Sequence, residues 1–304
     1  TKIALIVAGM CAASAYAQDA GFKTNLYGIL DVAYATATNQ ATGVSTGRII
    51  SGGDAPSIFG IAGGKDLGNG MKVALTYEGN ASTADGSTTL FTRSANFAIT
   101  GSMGTVRAGR QYDPAFLAYA ATDPRGAAMN NSGLQYWIAG AASTGVNTTS
   151  TVNIFTSNTV SWTNTFGGLT PTIAFGSGNS GTAGNNAGNV TSLGLVYDAG
   201  ALKVSGGTVT NTQAAATGAD STGTSFGAAY TMGKLRVALN TLNFKTSTST
   251  VDLTTTGVGG TYDLGGGLTA NLAYYANKDN KGGGSQNNTT FGVSYALDKQ
   301  VTMY

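Results

Sequence analysis

The chain has 304 residues, of which 46 are glycine, none is histidine and 10% are charged, for a formal net charge of +2. Without histidine there is no Ser-His nucleophile and no histidine metal site, and so even a charge balance leaves no electrostatic footprint for nucleic acid. No run of about 18 apolar residues could cross a bilayer as a helix. Two classes remain: a membrane β-barrel, whose apolar residues take every second position, and a secreted Gly/Thr/Asn-rich β protein such as an adhesin or β-solenoid.

The first segment reads as an export signal. Lys2 precedes an apolar stretch from Ile3 to Ala13, and Ala15-Tyr16-Ala17 forms a small-x-small cleavage site. Residues 1–17 are predicted as a signal peptide and 18–304 as one mature domain. Cys11 lies inside the signal, and a lipoprotein signal fits it poorly because Met10 stands directly before it. The mature chain then has no cysteine and no disulfide or thiol chemistry.

From there the chain reads as strands of period two. Met71, Val73, Leu75 and Tyr77 alternate with Lys72, Ala74, Thr76 and Glu78, and Phe291, Val293, Tyr295 and Leu297 repeat the pattern. Strands are predicted near 24–37, 46–64, 70–79, 89–99, 104–111, 152–164, 169–177, 189–197, 201–211, 223–230, 234–245, 251–262, 267–277 and 287–296, with a fifteenth starting at Val301. Short turns begin at Lys65, Thr100, Thr165, Asp198, Thr231, Asp263 and Leu297, at intervals of 35, 65, 33, 33, 32 and 34 residues. Each ordinary interval holds two strands of roughly 10 residues and one longer loop, the layout of an outer-membrane barrel. Trp162, Tyr197, Tyr230, Tyr262 and Tyr295 each fall just before a short turn, an interfacial girdle that a soluble sandwich has no reason to build. Fourteen strands and a fragment cannot close evenly. The expected fold is an all-β, 16-stranded antiparallel transmembrane β-barrel, with the chain as given cut before the closing strand.

The 65-residue interval holds roughly 30 residues more than one hairpin needs, in a loop at about 112–150. Pro114 and Pro124 keep it out of the sheet, while Phe116, Leu117, Tyr119, Tyr136 and Trp137 supply apolar anchors. The expectation is a loop folded into the barrel that narrows it; an external surface loop is the alternative.

Four segments carry a family resemblance. "LYGILD" looks like a porin's opening strand, and "GGKDLGNGMKVALTYE" is similar to its first turn and third strand. "GTVRAGRQYDP" resembles the segment leading into a constriction loop, and "SYALDKQVTMY" the segment before a closing strand. On these matches, which span the chain, it resembles the general diffusion porins of Gram-negative outer membranes, most closely their beta-proteobacterial branch. The resemblance implies a homotrimer of sixteen-stranded barrels set in outer-membrane lipid and lipopolysaccharide, with no cofactor. Small hydrophilic solutes and ions would diffuse through each water-filled pore, past a third loop whose acids face arginines on the opposite wall. By position, Arg110 matches the family's "GRQ" arginine, Asp113 lies in the descending loop, Arg93 matches the basic position of "LFTRSA", and Arg48 resembles a pore-wall position. Two departures matter: Ser57-Ile58-Phe59 stand where an arginine is usual, and Arg125 accompanies Asp113 and Asp123 where more acids would be expected. Charge thinned on both sides implies a weakly selective pore that leans towards anions.

The polar strand faces add Asp31, Lys72, Glu78, Lys234 and Arg236 as lumen candidates, each equally readable as a solvated charge near a strand end. Alternation puts Val106, Ala108 and hence Arg110 on the lipid face, where a bare arginine at mid-membrane costs about 2–4 kcal/mol. Either a bulge at Gly109 reverses the sense or the strand has ended, and Arg107 is the safer inward residue. Catalysis is not expected, since no carboxylate pair has glycosidase-like spacing and no Gly-rich stretch has the strand-to-helix context of a phosphate loop. The competing function is a non-conducting outer-membrane barrel or adhesin, separable by whether the purified protein raises the conductance of a planar bilayer.

Overall fold

The computed structural model describes residues 21–39, 42–139, 154–178, 188–212, 219–247 and 251–304. The predicted signal peptide and residues 140–153, which include the end of the predicted loop, lie outside them.

The wall opens with β1 (Lys23–Ile29), β2 (Val32–Thr38), β3 (Ser45–Ser51) and β4 (Ile58–Gly68). Then come β5 (Met71–Ala81), β6 (Thr88–Gly101) and β7 (Gly104–Tyr112), followed by the helices α1 (Pro114–Thr122) and α2 (Gly133–Ala139). The wall resumes with β8 (Phe155–Thr163), β9 (Leu169–Gly176), β10 (Val190–Ala199), β11 (Leu202–Asn211) and β12 (Ser221–Met232). It ends with β13 (Leu235–Thr246), β14 (Asp252–Gly265), β15 (Leu268–Asp279), β16 (Ser285–Ala296) and β17 (Thr302–Met303).

All pairing is antiparallel: β1 pairs with β4, β4 to β17 pair with their chain neighbours in one fifteen-stranded sheet, and β2 and β3 pair separately. β1 and β2 together are the first predicted strand, and β3 and β4 the second, so the fifteen expected positions are all present. The break in both has one cause. The Asp31 carboxylate accepts hydrogen bonds from the amides of Gly53 (2.8 Å), Asp54 (3.1 Å) and Ala55 (2.8 Å). Ser57 and Thr83 hydroxyls donate to the Asp31 carbonyl, so the chain turns around this residue instead of continuing the ladder.

The sheet curls. α1 packs against the inner face of β9 to β13, near the middle of the strand order. A few residues later, Asn130 donates to the carbonyls of Gly52 and Gly53, and the Thr290 hydroxyl of β16 donates to the Asn131 carbonyl. One loop can touch the middle and both ends of a fifteen-stranded sheet only if the sheet wraps around it. Beyond β17, the Tyr304 hydroxyl reaches Asp31 at the other edge. The described part of the long loop therefore lies inside the barrel, as expected.

Alternation sorts the two faces. On β13 to β16, Leu239, Val258, Leu272, Phe291 and Val293 are exposed on the outside, whereas Ala238, Asn240, Thr255, Ala273 and Tyr275 are buried under the loop. The 33-residue interval also has a physical basis. Leu169, Leu202, Leu235 and Leu268 stand directly opposite Tyr197, Tyr230, Tyr262 and Tyr295. Each pair sits beside a short turn on the outer face, so an apolar residue and an interfacial ring recur at one height. The inner face departs from the polar rule at Leu242 and Phe244, which join Val209 and Leu253 in an apolar cluster with Phe116, Tyr119, Leu134 and Trp137 of the loop. Trp137 packs edge-on to Phe116 (5.6 Å) and stacks on Tyr119 (5.3 Å), contacts worth about 0.5–1.5 kcal/mol each beyond area burial.

Candidate functional site

The loop leaves the wall at Asp113, because Pro114 has no N–H to continue a ladder but suits a first helical turn. Asp113 caps α1: its Oδ1 accepts from the amides of Ala115 (2.9 Å) and Phe116 (3.2 Å), and from the Ser192 hydroxyl of β10 (2.8 Å). Its Oδ2 is buried with no hydrogen-bond partner, and burial pushes the carboxyl up to about 6.

α1 lies on a seat of missing side chains. A Cβ on Gly194 would fall 2.2 Å from the Pro114 carbonyl oxygen, on Gly207 2.8 Å from the Ala115 Cα, and on Gly227 2.1 Å from the Thr122 hydroxyl. These glycines occupy β10, β11 and β12 in turn, so the helix backbone contacts the sheet directly. The Thr122 and Ser205 hydroxyls share a hydrogen bond (2.8 Å) at its far end.

Asp123 then organises the turn. Its Oδ1 accepts from the Gly133 amide (3.1 Å) and the Asn240 side-chain amide (3.4 Å), its Oδ2 from the amides of Arg125 (3.0 Å) and Ala127 (2.8 Å). The Tyr275 hydroxyl reaches both oxygens. Burial holds the Asp123 carboxyl above its ordinary value despite these donors. Arg125 carries the loop across to the other wall, pairing with Asp54 (2.9 Å) and donating to the Asn130 carbonyl (2.7 Å), while the Met129 amide donates to the Asp54 carbonyl (2.8 Å).

The structure gathers some sequence candidates and leaves others apart. Glu78 and Arg93 form an ion pair (2.7 Å), completed by the Tyr27 hydroxyl on Glu78 (2.9 Å) and by donation from Arg93 to the Tyr112 hydroxyl (2.6 Å). Arg107 shares the inner face with Asn96, to which it donates, and stands opposite Ser161. Ser161 in turn donates to Gln111, so Gln111 keeps the inward sense of Arg107. The register shift between Gly109 and Gln111 therefore does not reverse β7, and Arg110 stays on the side of Val106 and Ala108. There its guanidinium donates to the Thr92 carbonyl and the Ser157 hydroxyl (2.6 Å) and lies over the Phe155 ring (5.6 Å). Arg236 faces inward and reaches the backbone carbonyls of Ala121 (3.5 Å) and Asp123 (3.4 Å). Asp31 is buried in its clasp, and Arg48, Lys72 and Lys234 are exposed away from the loop.

Sequence reasoning did not find Asp54, Ser192, Asn240, Tyr275 or the glycine seat. Asp54 sits in "SGGDAP", whose glycines signal a turn but not its partner across the barrel. The glycines of the seat read as ordinary small residues on an inner strand face.

A family model described as Gram-negative porin matches residues 4–304. The chain is 27% identical to the outer membrane porin protein 32 of Delftia acidovorans, across 100% of this chain and 88% of that protein. Among solved structures it is similar to an anion-selective porin from Comamonas acidovorans, with a TM-score of 0.80, 23% identity, and 91% and 85% of the two chains covered. It is also similar to OmpF of Salmonella typhi in complex with daunomycin (TM-score 0.68, 17% identity, 92% and 87% covered). A third likeness is the trimer form of OmpT, an outer membrane protein of Vibrio cholerae (TM-score 0.62, 17% identity, 92% and 85% covered).

Proposed function

The chain belongs to the family of Gram-negative porins, outer-membrane channels for passive diffusion, and from that premise we propose a weakly selective pore that leans towards anions. One observation carries the lean: the acids of the constriction are occupied, while two of its arginines have no carboxylate. Asp113 and Asp123 are fully buried under the loop, Asp54 is paired with Arg125, and Glu78 with Arg93. Among the described residues, Arg107 and Arg236 have no carboxylate within ion-pair distance; their partners are an amide oxygen and backbone carbonyls. Neither is held in an ion pair, which leaves the potential inside the narrows positive. The anion-selective porin of Comamonas acidovorans supports the same sign.

The mechanism is passive. The loop sets the aperture, water fills the rest, and small hydrophilic solutes and ions cross according to size and charge. The working pore residues on this reading are Arg107, Arg236, Arg93 and Glu78, with Arg125, Asp113 and Asp123 holding the loop. Arg110 alternates with Arg107 along β7, yet its guanidinium shares the Phe155 ring with Arg93 and so borders this group. The protein acts as a homotrimer, a reading that the trimer form of the similar OmpT supports, and it is exported through residues 1–17 and works without enzymatic activity.

The test is purified protein in a planar bilayer under a potassium chloride gradient. Channels whose reversal potential reports mild anion preference are expected. Strong cation preference would overturn the lean, and a bilayer that stays insulating would overturn the channel itself.

A further inference from the structure

α1 carries no charged residue, even on the side that meets the lumen. Ala115, Ala118 and Thr122 form one stripe of the helix and are fully buried against the wall. At about 100° per residue, Leu117 points away from that stripe into the lumen. It is 45% exposed, so this residue, expected from the sequence as an anchor, anchors nothing. Ala121 lies one turn further on with Ala120 beside it, so the lumen stripe has no polar side chain. Phe116 turns into the apolar cluster near the long loops, which leaves Ala121 on the side of the short turns. On that side the inner face of the wall continues with Val196, Ala229 and Ala238. Beyond Ala238, Arg236 reaches the carbonyls of Ala121 (3.5 Å) and Asp123 (3.4 Å). Both contacts are long, and its Nε has no partner among the described residues.

We propose that this corner binds monocarboxylates with a hydrocarbon tail, the carboxylate on Arg236 and the tail along Leu117 and Ala121. The inference rests on the anion-leaning pore and names the solute class it favours. A guanidinium offers a carboxylate two parallel N–H donors. Leu117 and Ala121 span about 6 Å of helix axis, which fits a tail of roughly four to six carbons or one aromatic ring. A hydrocarbon tail gains by leaving water against this ledge, whereas a hydroxylated tail loses hydrogen bonds there. A dicarboxylate or a phosphate fits less well, because its second charge finds no free cation. Lys203 pairs with Asp198, the Lys234 ammonium lies over Gly265 at the next short turn, and Arg107 stands on β7, six strands away.

Planar-bilayer recordings of the purified protein give the concentrations at which hexanoate and gluconate halve a chloride current. The two anions share six carbons and one charge and differ only in the tail. Hexanoate is expected to block at about tenfold lower concentration, at roughly twofold for each half-covered methylene. In L117N that margin should shrink to about twofold, while L117M, which keeps the apolar surface, should preserve it. R236Q should raise the half-blocking concentration of both anions by a similar factor, since it removes the contact they share. Equal block by the two anions in the parent protein, with chloride conductance and anion preference intact, overturns the subsite and leaves the pore standing. A margin unchanged in L117N, or hexanoate block that survives R236Q, does the same. A bilayer that stays insulating overturns the channel reading, and the subsite with it.

Discussion

The Tyr275 hydroxyl lies 3.1 Å from both carboxylate oxygens of Asp123, although 152 residues separate the two in sequence. The contact joins the far wall of the barrel to the turn between α1 and α2, and Tyr275 is itself fully buried. A hydrogen bond to a charged or partly charged group in such a place contributes about 1.5–3 kcal/mol. Tyr275→Phe should therefore loosen the turn by that amount while leaving the wall intact. Native-state hydrogen exchange at the amides of Arg125, Ala127 and Gly133, all bonded to Asp123, is the readout. Exchange there should quicken by about tenfold or more, while the strand amides of β14 keep their protection. Unchanged exchange at the three amides would show that the backbone donors alone hold Asp123.

Gly207→Val tests the seat under α1. The new Cβ would meet the Ala115 Cα at 2.8 Å, a backbone atom that cannot rotate away. Overpacking of this kind costs about 1–3 kcal/mol, and here the strain is relieved by lifting the helix off the wall into the aperture. Lower single-channel conductance is expected from a barrel that still folds. Gly206→Val serves as the control: its neighbours lie at 3.3 Å or beyond, and it points to the outer face. Equal conductance in the two variants would mean that the helix does not depend on the seat.

The wall was legible because membrane strands repeat a simple physical rule. Alternation and the regular turns located every strand position from β5 to β17, since each strand must place oily residues outward and small or polar ones inward. The breaks at Leu30-Asp31 and at residues 52–57 were not legible, because they depend on one carboxylate finding three amides more than twenty residues away. The inward loop was readable from its length, its prolines and its aromatic anchors. The fate of its acids was not. Asp113 and Asp123 look like pore charges in sequence, yet one caps a helix and the other ties a turn, roles set by Ser192, Asn240 and Tyr275 on distant strands. Alternation distinguishes Arg107 from Arg110, and the register shift against β8 leaves the sense of β7 unchanged between them.

If Arg107 and Arg236 set the sign of the pore, R107Q/R236Q should move its reversal potential towards cations. At an effective dielectric of about 20, a unit charge roughly 12 Å from a permeating ion is worth about 1.4 kcal/mol, so two such charges change the anion-to-cation ratio by about tenfold or more. The shift should be largest near 0.1 M salt, where screening extends over about 10 Å, and small near 1 M, where it extends over about 3 Å. A reversal potential that ignores the double substitution would place the selectivity elsewhere in the channel.

Asp113 gives the loop a dependence on pH whose sign follows from its burial. The folded protein holds this carboxyl at about 6, above its ordinary value of 3.8, because the charged form is cut off from water and Oδ2 has no donor. For a raised carboxyl, the stabilisation is complete below the ordinary value and is lost as pH rises through the folded one. The shift corresponds to about 3 kcal/mol, felt at the junction where α1 leaves β7. Docking of α1 should thus be tight at pH 5 and weaker at pH 8, and single-channel current should be steadier at the lower pH. In D113N the side chain still accepts from the amides of Ala115 and Phe116 but carries no proton to lose, so the difference between pH 5 and pH 8 should vanish. Recordings on both proteins at both pH values decide the matter: current fluctuations that rise with pH equally in parent and variant would assign the effect to another group.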